Sequence, residues 1–175
     1  MKRFSNDSNL YFVTLTIVDW IDIFTRNEYK EWIIEQIIYS QKNKGLQLFA
    51  YVIMTNHIHM VARVNEGQSM SDFLRDFKTF TSKELYKLII NNPLESRKEW
   101  IISVFQKNGK NNSLNKNFQI WQNGSFSTLL DSNYLIDQKV EYIHQNPVKA
   151  GFVDEASKYL YSSANPNSPV KVLEM

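Results

Sequence analysis

The chain has 175 residues, of which 43% are hydrophobic and 14% aromatic, with 20 Lys/Arg against 18 Asp/Glu. This fits one globular domain with a sizeable core and excludes a disordered chain. It contains no cysteine, which excludes disulfide staples and thiolate zinc sites, so any metal must be held by nitrogen and oxygen. The first apolar run, Tyr11 to Val18, is short and meets Asp19 without a small-residue cleavage site. No segment reaches membrane-spanning length, so a cytoplasmic protein with no membrane association is expected.

Tyr11, Val13, Leu15 and Ile17 alternate with Phe12, Thr14, Thr16 and Val18, which predicts a first strand. Thr25-Arg26-Asn27-Glu28 has the form of a capping box, and Gly45 is placed to end the helix that follows, with Ile34, Ile37, Ile38 and Gln41 on its inner face. Leu46 to Met54 reads as a second strand, and Thr55-Asn56 is short and polar enough to turn the chain into a third. In that third strand Ile58, Met60, Ala62 and Val64 form one face and His57, His59, Val61 and Arg63 the other. Residues i and i+2 of a strand share a face, so His57 and His59 project together and could clasp one metal ion, given an oxygen donor elsewhere.

A second helix is predicted from about Ser69 to Ile90, with Met70, Phe73, Leu74, Phe77, Thr81 and Leu88 inward. Its polar stripe of Ser71, Arg75, Lys78 and Ser82 reads either as a solvent face or as a row of phosphate contacts. Ser69 to Lys116 holds nine Lys/Arg against five Asp/Glu, an imbalance compatible with an acidic polymer lying over it. Pro93 ends the helix, Ser96-Arg97-Lys98-Glu99 is set to cap a short third one ending before Gly109, and Lys107 to Asn117 reads as an exposed basic loop. Phe118 to Leu130 is taken as a strand. A last helix, Asn133 to Asn146, is expected to stop at Pro147, and the Pro-containing segment 165–175 is expected to be loose.

This order gives a ferredoxin-like (RRM-like) α+β fold, an antiparallel sheet with helices on one face and an added C-terminal helix. The histidines then lie on the sheet face that those helices leave free. At about 100° per residue, Tyr142 and Asn146 share a face of the last helix, beside the apolar stripe of Ile136, Val140 and Ile143. Asn146 offers a carbonyl oxygen to a divalent cation, and Tyr142 a phenol beside the same ion. A phenol with a pKa near 10 is a weak nucleophile, but an activated, in-line phosphate makes it competent, and the product is a phosphotyrosine ester.

Tyr51-Val52-Ile53-Met54-Thr55-Asn56-His57-Ile58-His59-Met60, Phe77-Lys78-Thr79-Phe80-Thr81-Ser82-Lys83, Ile120-Trp121-Gln122, the block from Glu141 through Tyr142 and Asn146-Pro147 to Val153, and Tyr161-Ser162-Ser163-Ala164 occur in order. Together they resemble the single-tyrosine HUH transposases (IS200-like), and more narrowly the REP-associated tyrosine transposases. The resemblance implies one catalytic domain over 1–164 and a single-stranded DNA endonuclease and strand transferase acting on hairpin-associated sites such as REP-like palindromes. It implies Tyr142 as nucleophile on the added helix, His57, His59 and Asn146 as ligands of Mg²⁺ or Mn²⁺, and a monomer or homodimer. Arg75, Lys78, Lys83 and Lys149 are the candidate DNA contacts. Thr55 stands where most relatives have Pro, and Asn123-Gly124-Ser125-Phe126 is less basic than the corresponding segment in relatives. The competing readings are a non-catalytic single-stranded nucleic-acid platform and a domesticated nuclease that cuts DNA without transposing itself.

Overall fold

The computed structural model describes residues 9–113, 117–124 and 126–175. Its centre is a four-stranded antiparallel sheet of β1 (Tyr11–Thr16), β2 (Leu46–Ile53), β3 (His57–Val64) and β4 (Phe126–Leu129), in the order β2-β3-β1-β4. The helices are α1 (Asn27–Asn43), α2 (Met70–Asn91), α3 (Lys98–Lys110) and α4 (Asn133–Lys149). This is the expected ferredoxin-like arrangement with its added C-terminal helix.

Strand alternation divides the apolar residues into two cores. Val13, Leu15, Ile17, Ile58, Met60 and Ala62 point into the main one, shared with α1, α2 and α3. Phe12, Val52 and Val61 point the other way, where Ile136 and Ile143 of α4 close over them. The second sheet face is therefore not free beneath α4, because Phe12, Val52 and Val61 provide an apolar bed that the helix stripe must cover. A register shift at Leu48/Ala50 places both Phe49 and Ala50 in this second core.

Several local readings change for identifiable reasons. The Thr25 hydroxyl donates to the carbonyl of Asp22 instead of capping α1, whose N-cap is Arg26 without a side-chain bond. At the other end, Gly45 takes φ +73° as expected of a glycine after a helix. Leu88 of α2 is exposed, and Leu85 and Ile89 fill the inward positions. Neither does Ser96 cap α3: its N-cap is Arg97, and the helix runs through Gly109 to Lys110, taking in the start of the expected basic loop. Gly109 is needed there because a Cβ would collide with the backbone of Phe118. Residues 114–116 of that loop, and Ser125, lie outside the described residues. The run from Phe118 is not one strand: Trp121 bridges Ile17, Gly124 turns the chain at φ +72°, and only Phe126–Leu129 joins the sheet.

Pro147 does not stop α4 but sits buried in its last turn, where the missing N–H removes only one helical bond. The end comes at Gly151, φ +77°, with Phe152 N–H donating to the Pro147 carbonyl and Gly151 N–H to that of Val148, the bonding of a Schellman motif. Nor is segment 165–175 loose. With residues 161–163 it lines the open edge of β2: Ser163 N–H donates to the Tyr51 carbonyl, Ile53 N–H to that of Tyr161 and Leu173 N–H to that of Leu48. Ser168 donates to the Val170 carbonyl and accepts from the buried Tyr51 hydroxyl at 2.6 Å. An edge strand otherwise presenting unpaired backbone groups is thereby covered.

The start of α1 is tied to the α2–α3 connection by Glu95, whose side chain is 0% exposed. It accepts from Arg26 Nε at 2.7 Å and from the Arg97 amide at 3.1 Å. Burial pushes its carboxyl up, but these donors outweigh that and hold it below the usual carboxylate range. Removing one partner of such a pair strands the other. Glu95→Ala should lower the unfolding free energy in urea by about 3 kcal/mol; a loss under about 1 kcal/mol would show that the cluster is dispensable.

Candidate functional site

His57 and His59 lie on β3 opposite Thr16 and Thr14 of β1, on the sheet face that α4 covers. Their ring centroids are 4.6 Å apart. His59 is 6% exposed, stacks on Phe12 at 5.2 Å and shares a 2.9 Å hydrogen bond between Nδ1 and Thr14 Oγ1. His57 Nδ1 lies 2.7 Å from Asn56 Oδ1, and Asn56 Nδ2 donates to the Trp20 carbonyl at 3.1 Å. With that amide nitrogen committed, the His57 ring must donate from Nδ1, which fixes its tautomer and leaves Nε2 as the nitrogen that could face a metal.

Helix α4 brings the other two groups to the same place. Ser132 caps it by accepting from the Leu135 amide, and Ile136 and Ile143 anchor it in the second core. His144, bonded to Ser163 Oγ at 3.0 Å, fastens it to the segment beside β2. Tyr142, next to the Ile143 anchor, is 39% exposed, with its ring 5.3 Å from His59 and edge-on to Phe12 at 5.9 Å. One turn later the Asn146 side chain faces His57, close enough to favour its charged form. His57, His59, Tyr142 and Asn146 thus meet within one chain.

Lys149 and Lys139 flank the phenol, their ammonium groups 5.9 Å and 5.7 Å from the Tyr142 ring centroid, and Lys139 also lies over Phe12 at 4.8 Å. Sequence reading missed Lys139, although positions 139, 142, 146 and 149 follow the i, i+3, i+7, i+10 rhythm of one helix stripe. It missed Phe12 and Thr14 too, which alternation on β1 assigns to the histidine face. The remaining candidate cations belong to α2, in the layer on the opposite side of the sheet. There Arg75 pairs with Asp72 and Asp76, and Lys83 is exposed. Lys78 is half-buried, with its ammonium donating to the carbonyls of Gln122 and Gly124 at 2.6 and 2.9 Å. Burial lowers its pKa, and it holds the turn into β4.

Two other tyrosines are differently placed. Tyr134 also has an amide four residues on, Gln138, but its side chain is largely in solvent. Tyr159 donates to the Ile53 carbonyl at 2.8 Å, and burial, with the neighbouring Tyr161, pushes its pKa up to about 12.

Among the described residues no three His, Cys, Asp or Glu side chains gather as a metal site. The available set is two imidazoles and an amide, and it suits a divalent ion that accepts nitrogen and oxygen. Burial lowers both imidazole pKa values. For His57 the neighbouring Asn146 side chain opposes the shift; for His59 the charges of His57 and Lys139 add to it and bring the value to about 3. Both rings are therefore neutral near pH 7, as ligation requires.

The sequence pattern of the family described as "Transposase IS200 like" matches residues 20–108, just over half of the chain and including both histidines. The chain belongs to this family. Among solved structures, this IS200-like transposase is similar to a REP-associated tyrosine transposase bound to a REP hairpin, with a TM-score of 0.59 at 18% identity over 93% of this chain and 81% of that one. A second, described as a transposase from Deinococcus radiodurans R1, aligns with a TM-score of 0.47 at 15% identity over 83% of this chain and 97% of that one. No curated protein matches the sequence. No helix among the described residues is long and apolar enough to cross a membrane.

The histidine shifts fix a pH dependence. A histidine neutral in the fold but titrating near 6.5 when unfolded gives the unfolded state more protons, so stability is complete above about pH 6.5 and is lost as pH falls toward the folded value. For His59 the loss between pH 7 and 5 should be about 2 kcal/mol in metal-free protein. Urea unfolding at both pH values should show this decline, and His59→Gln should flatten it; an equal slope in the variant would show that His59 is charged in the fold.

Proposed function

We propose that this protein is a metal-dependent single-stranded DNA endonuclease and strand transferase that works through a covalent 5′-phosphotyrosine link. The observation that carries this reading is the seating of Tyr142 and Asn146, one turn apart on α4, against His59 and His57. The hairpin-bound REP-associated transposase of the same fold supports hairpin-bearing single strands, of the kind found in REP-like palindromes, as the substrate. We place the activity in the cytoplasm, with a monomer or homodimer as the working unit.

In this scheme His57, His59 and Asn146 would hold Mg²⁺ or Mn²⁺, which when bound polarises the scissile phosphate as a Lewis acid. The Tyr142 phenol gives up its proton and its oxygen attacks phosphorus. The bond from phosphorus to the 3′-oxygen breaks, the 3′-oxygen takes up a proton, and the 5′-phosphate stays on Tyr142 as an ester. Attack by a 3′-hydroxyl on that ester reverses the exchange, so strands are rejoined without another energy source. Lys139 and Lys149 place positive charge beside the phenol and the phosphate where negative charge develops. Phe12 beneath and His59 beside the ring hold the phenol in one orientation.

The test is incubation with a library of short hairpin-bearing single strands and Mn²⁺, followed by denaturing electrophoresis. A covalent protein–DNA band is expected, lost in EDTA and in His57→Ala or His59→Ala. Tyr142→Phe keeps the ring and should bind DNA while forming neither cut nor adduct. An adduct or cut at near wild-type rate in Tyr142→Phe, or full cleavage in EDTA, would reject the mechanism.

A further inference from the structure

Residues 17–21 link β1 to the body of the molecule and contain the two non-glycine residues with positive φ among the described residues, Asp19 at +53° and Trp20 at +52°. A bulky aromatic is a rare occupant of the left-handed region, where glycine or asparagine is favoured. Such strain persists only where the surroundings enforce it, and it concentrates at functional sites. Here the enforcement is visible. Val18 N–H donates to the Ile120 carbonyl at 2.7 Å, Trp20 N–H to that of Ile17 at 3.0 Å, and Asn108 of α3 donates to Asp19 Oδ2 at 2.8 Å.

The strain does not serve burial, because Trp20 is 67% exposed. Its backbone is instead one side chain away from the site: the Trp20 carbonyl accepts from Asn56 Nδ2, and Asn56 Oδ1 accepts from His57 Nδ1. An indole is thus held out in solvent on a turn that also sets the tautomer of a site histidine. The sheet beside the site is open on its β4 side, where Phe126, paired with Thr14 and so on the histidine face, is 77% exposed.

We propose that Trp20 is a nucleobase-stacking residue, on whose indole a base of the single-stranded substrate rests next to the phosphate at the His57–Tyr142 site. This rests on the functional reading above. Every base has a face to offer, so the contact adds affinity and position without selecting sequence. Through Asn56, the turn that carries the indole also carries the carbonyl that orients His57.

The backbone conformation makes a discriminating variant available, since glycine relieves the left-handed strain and removes the indole together. Trp20→Gly should melt at the wild-type temperature or above, yet bind a labelled hairpin-bearing single strand about tenfold more weakly, while Trp20→Phe stays within about threefold. Wild-type tryptophan emission should be quenched by the strand, and most of that quench should be absent from Trp20→Phe. Trp20→Gly binding within twofold of wild type, a lowered melting temperature with unchanged affinity, or a full quench in Trp20→Phe would each overturn the assignment. Failure of the wild type itself to bind any strand would instead overturn the functional reading, and this assignment with it.

Discussion

The site depends on one packing event, the closure of α4 over the second face of the sheet. Its histidine-bearing strand is built for the main core, and the chemistry projects from the strand's reverse side. Only the seating of Ile136 and Ile143 against Phe12, Val52 and Val61 gives Tyr142 a fixed relation to those histidines. A buried isoleucine contributes roughly 1.5–3 kcal/mol, so two such anchors, the Ser132 cap and the Gly151 terminus are together sufficient to hold a helix that shares no strand hydrogen bonds.

The same closure sets the electrostatics. Burial beneath α4 keeps His57 and His59 uncharged, while Lys139 and Lys149 remain at the rim with their charge facing the phenol. On the proposed function, neutral imidazoles in a partly dry pocket with cations at the entrance would suit a phosphodiester, whose charge would be drawn to the rim and whose reacting oxygen would face unprotonated nitrogens able to hold a divalent ion. The segment beyond residue 160 contributes indirectly, since His144 and Ser163 pin α4 to the edge of β2.

Much of this was legible in the sequence, because it rests on periodicity. Period-two alternation put His57 and His59 on one face, and a helix turn put Asn146 above Tyr142; neither inference needs tertiary information. What the sequence concealed depends on contacts between distant residues. Phe12, Val52 and Val61 read as the outer half of ordinary strands until α4 is laid on them. Lys78 looks like a free cation on a polar stripe, whereas its partners are carbonyls more than forty residues away. Pro147 looks like a stop signal, yet a proline in the final turn forfeits a single bond and fills the core. The strained turn at Asp19-Trp20 has little sequence signal, since aspartate tolerates positive φ but a following tryptophan does not announce it.

The central claim is that a chain's own α4 completes the site on its own sheet, and the most direct test is complementation in mixtures. A His57→Ala/His59→Ala protein and a Tyr142→Phe protein, each inactive alone, are combined at high concentration, allowed to exchange, and assayed for covalent attachment to a hairpin-bearing single strand. If the site is completed within one chain, no combination of these subunits contains an intact site, and the mixture should stay as inactive as its components. Recovery of a substantial fraction of wild-type adduct, approaching a quarter, would contradict the account by showing that Tyr142 of one chain works on the histidines of another.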